Sequence, residues 1–141
     1  MWLTYALLAA ILWGFNYSLS EKLLHHLAPA TLLAIEMAFG SLFFGTLSYF
    51  TTAKRVFNAL ATDPHIFWLT MLEVIVILLA NYFIVSSIFF KNATMAGIIE
   101  LIYPLFTIFF SWFLFNTNHV NSNVIIGGFL IFIGVLVISR G

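Results

Sequence analysis

There is no cysteine in this chain, and little charge of either sign. The first absence removes disulfides and thiolate metal sites, and with them any reading of compartment from redox chemistry. The second removes the soluble class. Charged residues make up 7% of the 141 positions and hydrophobic residues 63%, whereas an ordinary soluble domain carries about a quarter charged residues. A water-facing fold cannot cover that much apolar surface, so lipid is the solvent. Lys and Arg together number five, as do Asp and Glu. No basic run points to nucleic acid, and no acidic tail forms a solvated arm. The start, Met1-Trp2-Leu3-Thr4-Tyr5, has no Lys/Arg segment of the kind that opens a signal peptide, so the first apolar run reads as a retained helix. No G-x-S-x-G, H-E-x-x-H or P-loop appears, and no nucleophile–base set or metal set supports an enzyme or a cofactor.

What is present is five apolar runs, at about 2–20, 28–50, 66–90, 93–115 and 123–139. Each is near the roughly 20 residues that cross about 30 Å of hydrocarbon. The reading is an all-α integral membrane protein, one domain over residues 1–141. Pro29 suits the first turn of the second helix. Thr51 to His65 reads as the longest loop, and Asn116 to Asn123 as a polar turn. Lys91-Asn92 is so short a connection that the helices it joins must be antiparallel neighbours. Five crossings put the termini on opposite sides. Lys54 and Arg55, with the terminal amine, then face one side, and Lys22, Lys91 and Arg140 the other. Orientation normally follows a Lys/Arg excess, and none exists here. Either a partner fixes one orientation or the chain inserts both ways.

Three of the five acids, Glu36, Glu73 and Glu100, lie within the apolar runs. A carboxylate near the bilayer centre costs about 2.5–3.5 kcal/mol on insertion scales. It implies a cavity, a partner or a task, and movement of a solute across the membrane is the natural one. Around Glu100, the positions i−7, i−4, i−3, i+3, i+4, i+7 and i+11 are Ala93, Ala96, Gly97, Tyr103, Pro104, Thr107 and Ser111. These share one helix face, while Ile98, Leu101, Leu105, Phe109 and Phe113 take the other. Pro104 removes the donor for the Glu100 carbonyl and is expected to kink the helix. This face is either the wall of a substrate path or a close-packing seam. In the first helix Tyr5, Ala9, Trp13, Asn16 and Ser20 form a similar stripe, and Trp13 lies too deep for an interface belt. Glu36 is followed by Gly40, and Glu73 by Asn81. Glu100, Asn16, Trp13, Tyr103, Pro104, Thr107, Glu73, Glu36 and Asn81 are therefore the candidate substrate-path residues. Gly127, Ile131 and Gly134 share a face of the last helix suited to close packing, including packing between subunits. His25, His26, His65 and His119 sit at helix ends or in turns, without metal-pair spacing.

Trp13-Gly14-Phe15-Asn16-Tyr17, Pro29 opening the second helix, and the run from Ala96 through Glu100 to Tyr103-Pro104 resemble an EamA-type repeat of the drug/metabolite transporter superfamily. The segment from Gly127 to Gly134-Val135 resembles that superfamily's closing glycine helix, and also the last helix of small multidrug-resistance transporters. The resemblance covers nearly the whole chain. It departs at Glu36, where members often carry a basic residue, and at Asn116, where they often carry an acid. The small multidrug transporters hold their essential acid in the first helix, where this chain has Asn16. Typical members have ten helices in two inverted five-helix repeats, so the resemblance implies that one repeat pairs with another. The pairing would be an antiparallel homodimer or a heterodimer with a second half-transporter, with its site at the repeat interface near the midplane. The implied function is secondary transport of a small metabolite or organic cation, as a multi-pass protein of a cell inner membrane or plasma membrane. The alternative outside transport is a membrane subunit whose polar seams bind lipid or another protein.

Overall fold

The computed structural model describes residues 1–117 and 120–140, and of residues 53–55 the backbone only. Asn118, His119 and Gly141, and the side chains of Lys54 and Arg55, lie outside the described residues. The chain is all-helical: α1 Trp2–Leu23, α2 Pro29–Thr51, α3 Ala53–Thr62, α4 Pro64–Phe90, α5 Ala93–Glu100, α6 Tyr103–Phe115 and α7 Ser122–Ile138. Among the described residues, four stretches are long and apolar enough to cross a membrane: α1, α2, α4 and α5–α6 taken together. The fifth apolar helix, α7, has 17 residues, about 25 Å at 1.5 Å per residue.

Local chemistry sets the boundaries. Pro29 and Pro64 open α2 and α4, where a missing N–H costs nothing. Asp63 caps α4, accepting from the backbone N–H of His65 at 2.9 Å and Ile66 at 3.3 Å. Asn92 caps α5 through the Met95 N–H at 2.7 Å, and Asn121 caps α7 through the Val124 N–H at 2.9 Å. Asn116 ends α6 in the left-handed region at φ 52°, a conformation asparagine tolerates better than most residues. Within the spans, hydroxyls find partners one turn back. Thr46 donates to Leu42 O at 2.7 Å and Thr70 to Ile66 O at 2.8 Å, which suits a solvent that offers no hydrogen bonds.

Two features differ from the reading of the sequence. Thr51 to His65 is not a loop. It holds α3, ten residues long and the most two-sided helix in the chain. A search for runs of about 20 apolar residues passes over such a segment, since Val56, Phe57 and Leu60 are interrupted by Lys54, Arg55, Asn58 and Thr62. Its length and two-sidedness suit a helix lying along an interface rather than crossing one.

The run at 93–115 is two helices. Pro104 removes the donor that would reach the Glu100 carbonyl. Around the break the bonds tighten to i−3: Leu101 N to Ile98 O, Ile102 N to Ile99 O (both 3.2 Å), and Leu105 N to Ile102 O at 3.1 Å. The expected kink is a break at Leu101–Ile102.

α4 packs against α5, α1, α2 and α3, and α5 packs against α1 and α7. The core is Leu24, Leu32, Leu33, Val85, Ile88, Ala93 and Ala96, joined by Tyr17, Leu27 and Ile84. All of it lies at the end of the bundle where α1 turns into α2 and α4 into α5. Glu21 ties that end together: its carboxylate accepts the Ala93 N–H of α5 at 2.8 Å.

Candidate functional site

The site is built around α1. Tyr17 donates its phenol O–H to Glu100 Oε2, linking α1 to the end of α5. Trp13, one turn before Tyr17, meets its ring edge-on at a centroid distance of 5.6 Å. Gly97 makes room for the ring, since a Cβ there would lie 3.2 Å from Tyr17 Cδ2. Tyr17 and Glu100 lie about 9 and 10 Å in from the packed ends of their helices, within stretches long and apolar enough to cross a membrane.

Two cavities flank this pair. One, about 730 Å³, lies between α1, α4, α5 and the start of α6, and is lined by Trp13, Tyr17, Gly97, Glu100 and Tyr103 among others. The other, about 460 Å³, lies between α1, α2 and α4, and is lined by Trp13, Asn16, Tyr17, Ser20, Glu36 and Asn81 among others. Trp13 and Tyr17 line both, so the aromatic face of α1 is their shared wall. Both volumes fall in the range of small-molecule sites, about 300–1,000 Å³.

The nine candidate path residues are therefore divided. Glu100, Tyr103 and Trp13 meet in the larger chamber, and Asn16, Glu36, Asn81 and again Trp13 in the smaller. Thr107, with Ser111, lines a third cavity of about 380 Å³ beside Trp112 and Thr117. The break at Leu101–Ile102 is the reason: it takes Thr107 and Ser111 off the continuous stripe that an unbroken helix would give. Pro104 makes the break and lines none of the three cavities, and Glu73 is exposed on α4 away from all of them. In α7, Gly127 and Gly134 have no atom within 4 Å of where a Cβ would stand, so neither packs closely within the chain. The glycine that does is Gly128, where a Cβ would lie 2.7 Å from Leu105 Cδ2.

Three residues escaped the sequence reading as site residues. Tyr17 was visible as a phenol deep in an apolar helix, and such an O–H usually has a partner. Ser20, 2% exposed, lies on the stripe of Trp13 and Asn16 but was not singled out from it, and Glu21 had no signal beyond following Ser20. The Tyr17–Glu100 bond alone does not account for the acid. An interhelical hydrogen bond in a membrane contributes about 0.6–2 kcal/mol, less than the roughly 2.5–3.5 kcal/mol cost of inserting a carboxylate.

Apolar helices of spanning length around acid-bearing chambers define a multi-pass membrane protein with a polar interior. The chain belongs to the EamA-like transporter family, whose pattern it matches over residues 1–140. That is a family of transporters rather than of enzymes. No curated protein and no solved structure matches it.

Proposed function

We propose that this chain is a half-size secondary transporter in which two copies pair in opposite orientations and move a small organic cation or metabolite by alternating access. The observation that carries this reading is the Tyr17–Glu100 pair facing a chamber of about 730 Å³ inside a spanning segment. Glu100 supplies one negative charge, and Trp13, Tyr17 and Tyr103 supply aromatic faces. A carboxylate beside aromatic rings suits a cation carrying apolar surface, since ring faces attract positive charge most strongly when water is excluded. In this reading α7 is the fifth crossing, the open Gly127–Ile131–Gly134 face meets the second copy, and one copy rocks against the other. That same open face equally fits a second, different half-transporter as the partner.

Purified protein in proteoliposomes, offered a panel of organic cations and metabolites, tests the reading. We expect Glu100→Gln to lower transport per folded molecule at least tenfold while leaving assembly intact. A fully active Glu100→Gln protein would end it. Lost expression with normal activity in the surviving protein would make Glu100 a packing residue instead. Single cysteines near Met1 and near Arg140 should label from opposite faces of any one molecule, and a C-terminal tag should report from both sides across the population. A tag seen from the cytoplasm alone would rule out paired opposite insertion.

A further inference from the structure

The smaller chamber differs in chemistry from the larger one. Its acid, Glu36, is accompanied by no tyrosine besides Tyr17 of the shared wall, but by two amides and a hydroxyl: Asn16 and Ser20 from α1 and Asn81 from α4. Asn81 donates its Nδ2 to Ile77 O at 2.8 Å, which leaves its Oδ1 as the end available to the cavity. Among the described residues, the side chains of Asn16, Ser20 and Glu36 have no hydrogen bond, although Ser20 is 2% exposed. By helix rise Asn16 and Glu36 lie about 10 Å and Asn81 about 14 Å from the packed ends of their helices, with Ser20 nearer that end at about 5 Å. Polar groups at that depth need partners, because lipid supplies none.

We propose that this chamber is a binding site for a monovalent alkali cation, distinct from the Glu100 chamber. The donor set decides the class. Two carboxylate oxygens and an amide oxygen from each asparagine are hard oxygen ligands, which replace the hydration shell of a hard cation, and the Ser20 hydroxyl, nearer the packed end, suits a water held on that ion. One carboxylate balances one positive charge; a divalent ion would leave a net charge in a low-dielectric site, at a cost of several kcal/mol. A proton needs only the carboxylate and leaves the amide and hydroxyl oxygens of Asn16, Ser20 and Asn81 without a role. The cavity, at about 460 Å³, has room for the ion with part of its water. Trp13 and Tyr17 back both chambers, so occupation of one bears on the wall of the other. Ion binding goes beyond the transport reading and does not depend on it, since the ion can bind in a protein that carries nothing.

The test is equilibrium binding of ²²Na⁺ and ⁸⁶Rb⁺ to the full chain in nanodiscs, with choline holding ionic strength constant. We expect saturable binding of at least one of the two, displaced by the unlabelled ion and not by choline. Glu36→Gln should weaken it at least tenfold and Asn81→Leu several-fold, with Glu36→Asp recovering part of the loss. Each variant is checked for helix content and elution volume, and Glu36→Asp serves where Glu36→Gln fails to fold. Saturable binding that survives Glu36→Gln, or folded wild-type protein that binds neither ion up to 100-fold above the millimolar range (about the concentrations cells maintain), would overturn the proposal. So would a response to pH with none to either ion. Organic-cation binding measured on the same samples separates this outcome from failure of the transport reading, because Glu100→Gln should abolish that binding and leave ²²Na⁺ bound.

Discussion

Where α1 turns into α2 and α4 into α5, Leu24, Leu32, Val85, Ile88 and Ala93 are buried, and backbone groups are capped by Glu21 and Asn92. At the opposite end, where α2 passes through α3 into α4 and α6 turns toward α7, no described residue is buried, and Phe50, Phe57, Trp68 and Phe113 are all more than 60% exposed. Short connections explain the contrast. A turn of two residues at Lys91-Asn92 forces its helices together, whereas α3 spaces α2 from α4. The chain thus makes its own core at one end only. At the other, its apolar surface is complete only against lipid or a second chain.

The sharpest way to break this comparison is to truncate the same helix at both ends. Ile88→Ala, at 2% exposure, should cost about 2 kcal/mol; that is the low end for core truncations, because the unfolded helix stays in an apolar solvent. Leu72→Ala toward the other end of the same helix, 55% exposed, should stay within about 0.5 kcal/mol. Thermal unfolding in one detergent compares them directly, and equal losses would mean that the wide end is also packed. Glu21→Ala comes next. Losing a charge-assisted bond to the first N–H of α5 should cost about 1–2 kcal/mol, read as hydrogen exchange at Ala93 rising before exchange in α7. Unchanged protection there would remove Glu21 from the account of the packed end. The smallest effect should be Gly127→Leu. With no neighbour near the new side chain, unfolding of the monomer should shift by under about 0.5 kcal/mol. The dimer fraction by light scattering should fall if this face meets a second copy, and an unchanged fraction would move the interface elsewhere.

The packed end was more legible in the sequence than the chambers were. Apolar runs, Pro29, the Lys91-Asn92 turn and the break at Pro104 are local signals, written in residues a few positions apart. Glu100 stood out because an acid in an apolar run is costly wherever it points. Its partner did not, because Tyr17 is 83 positions away and nothing local pairs them. The division into two chambers was illegible for the same reason: it depends on which side of α1 each neighbour packs. Glu73 shows the converse. It too is an acid within an apolar run, yet the structure leaves it exposed on α4.

The break at Leu101–Ile102 makes α6 a lever. α5 is anchored in the packed end by Ala93, Ala96 and the Glu21 bond, while α6, thirteen residues long, has no buried residue. Its reach from the fulcrum is about 20 Å, so a swing of about 10° carries its tip roughly 3 Å, about the width of a water molecule. The fulcrum falls between Glu100 and Tyr103, two residues of one chamber. Such a swing shifts the Tyr103 wall while Tyr17 still holds Glu100, so the chamber's aperture and its charge are mounted on separate parts.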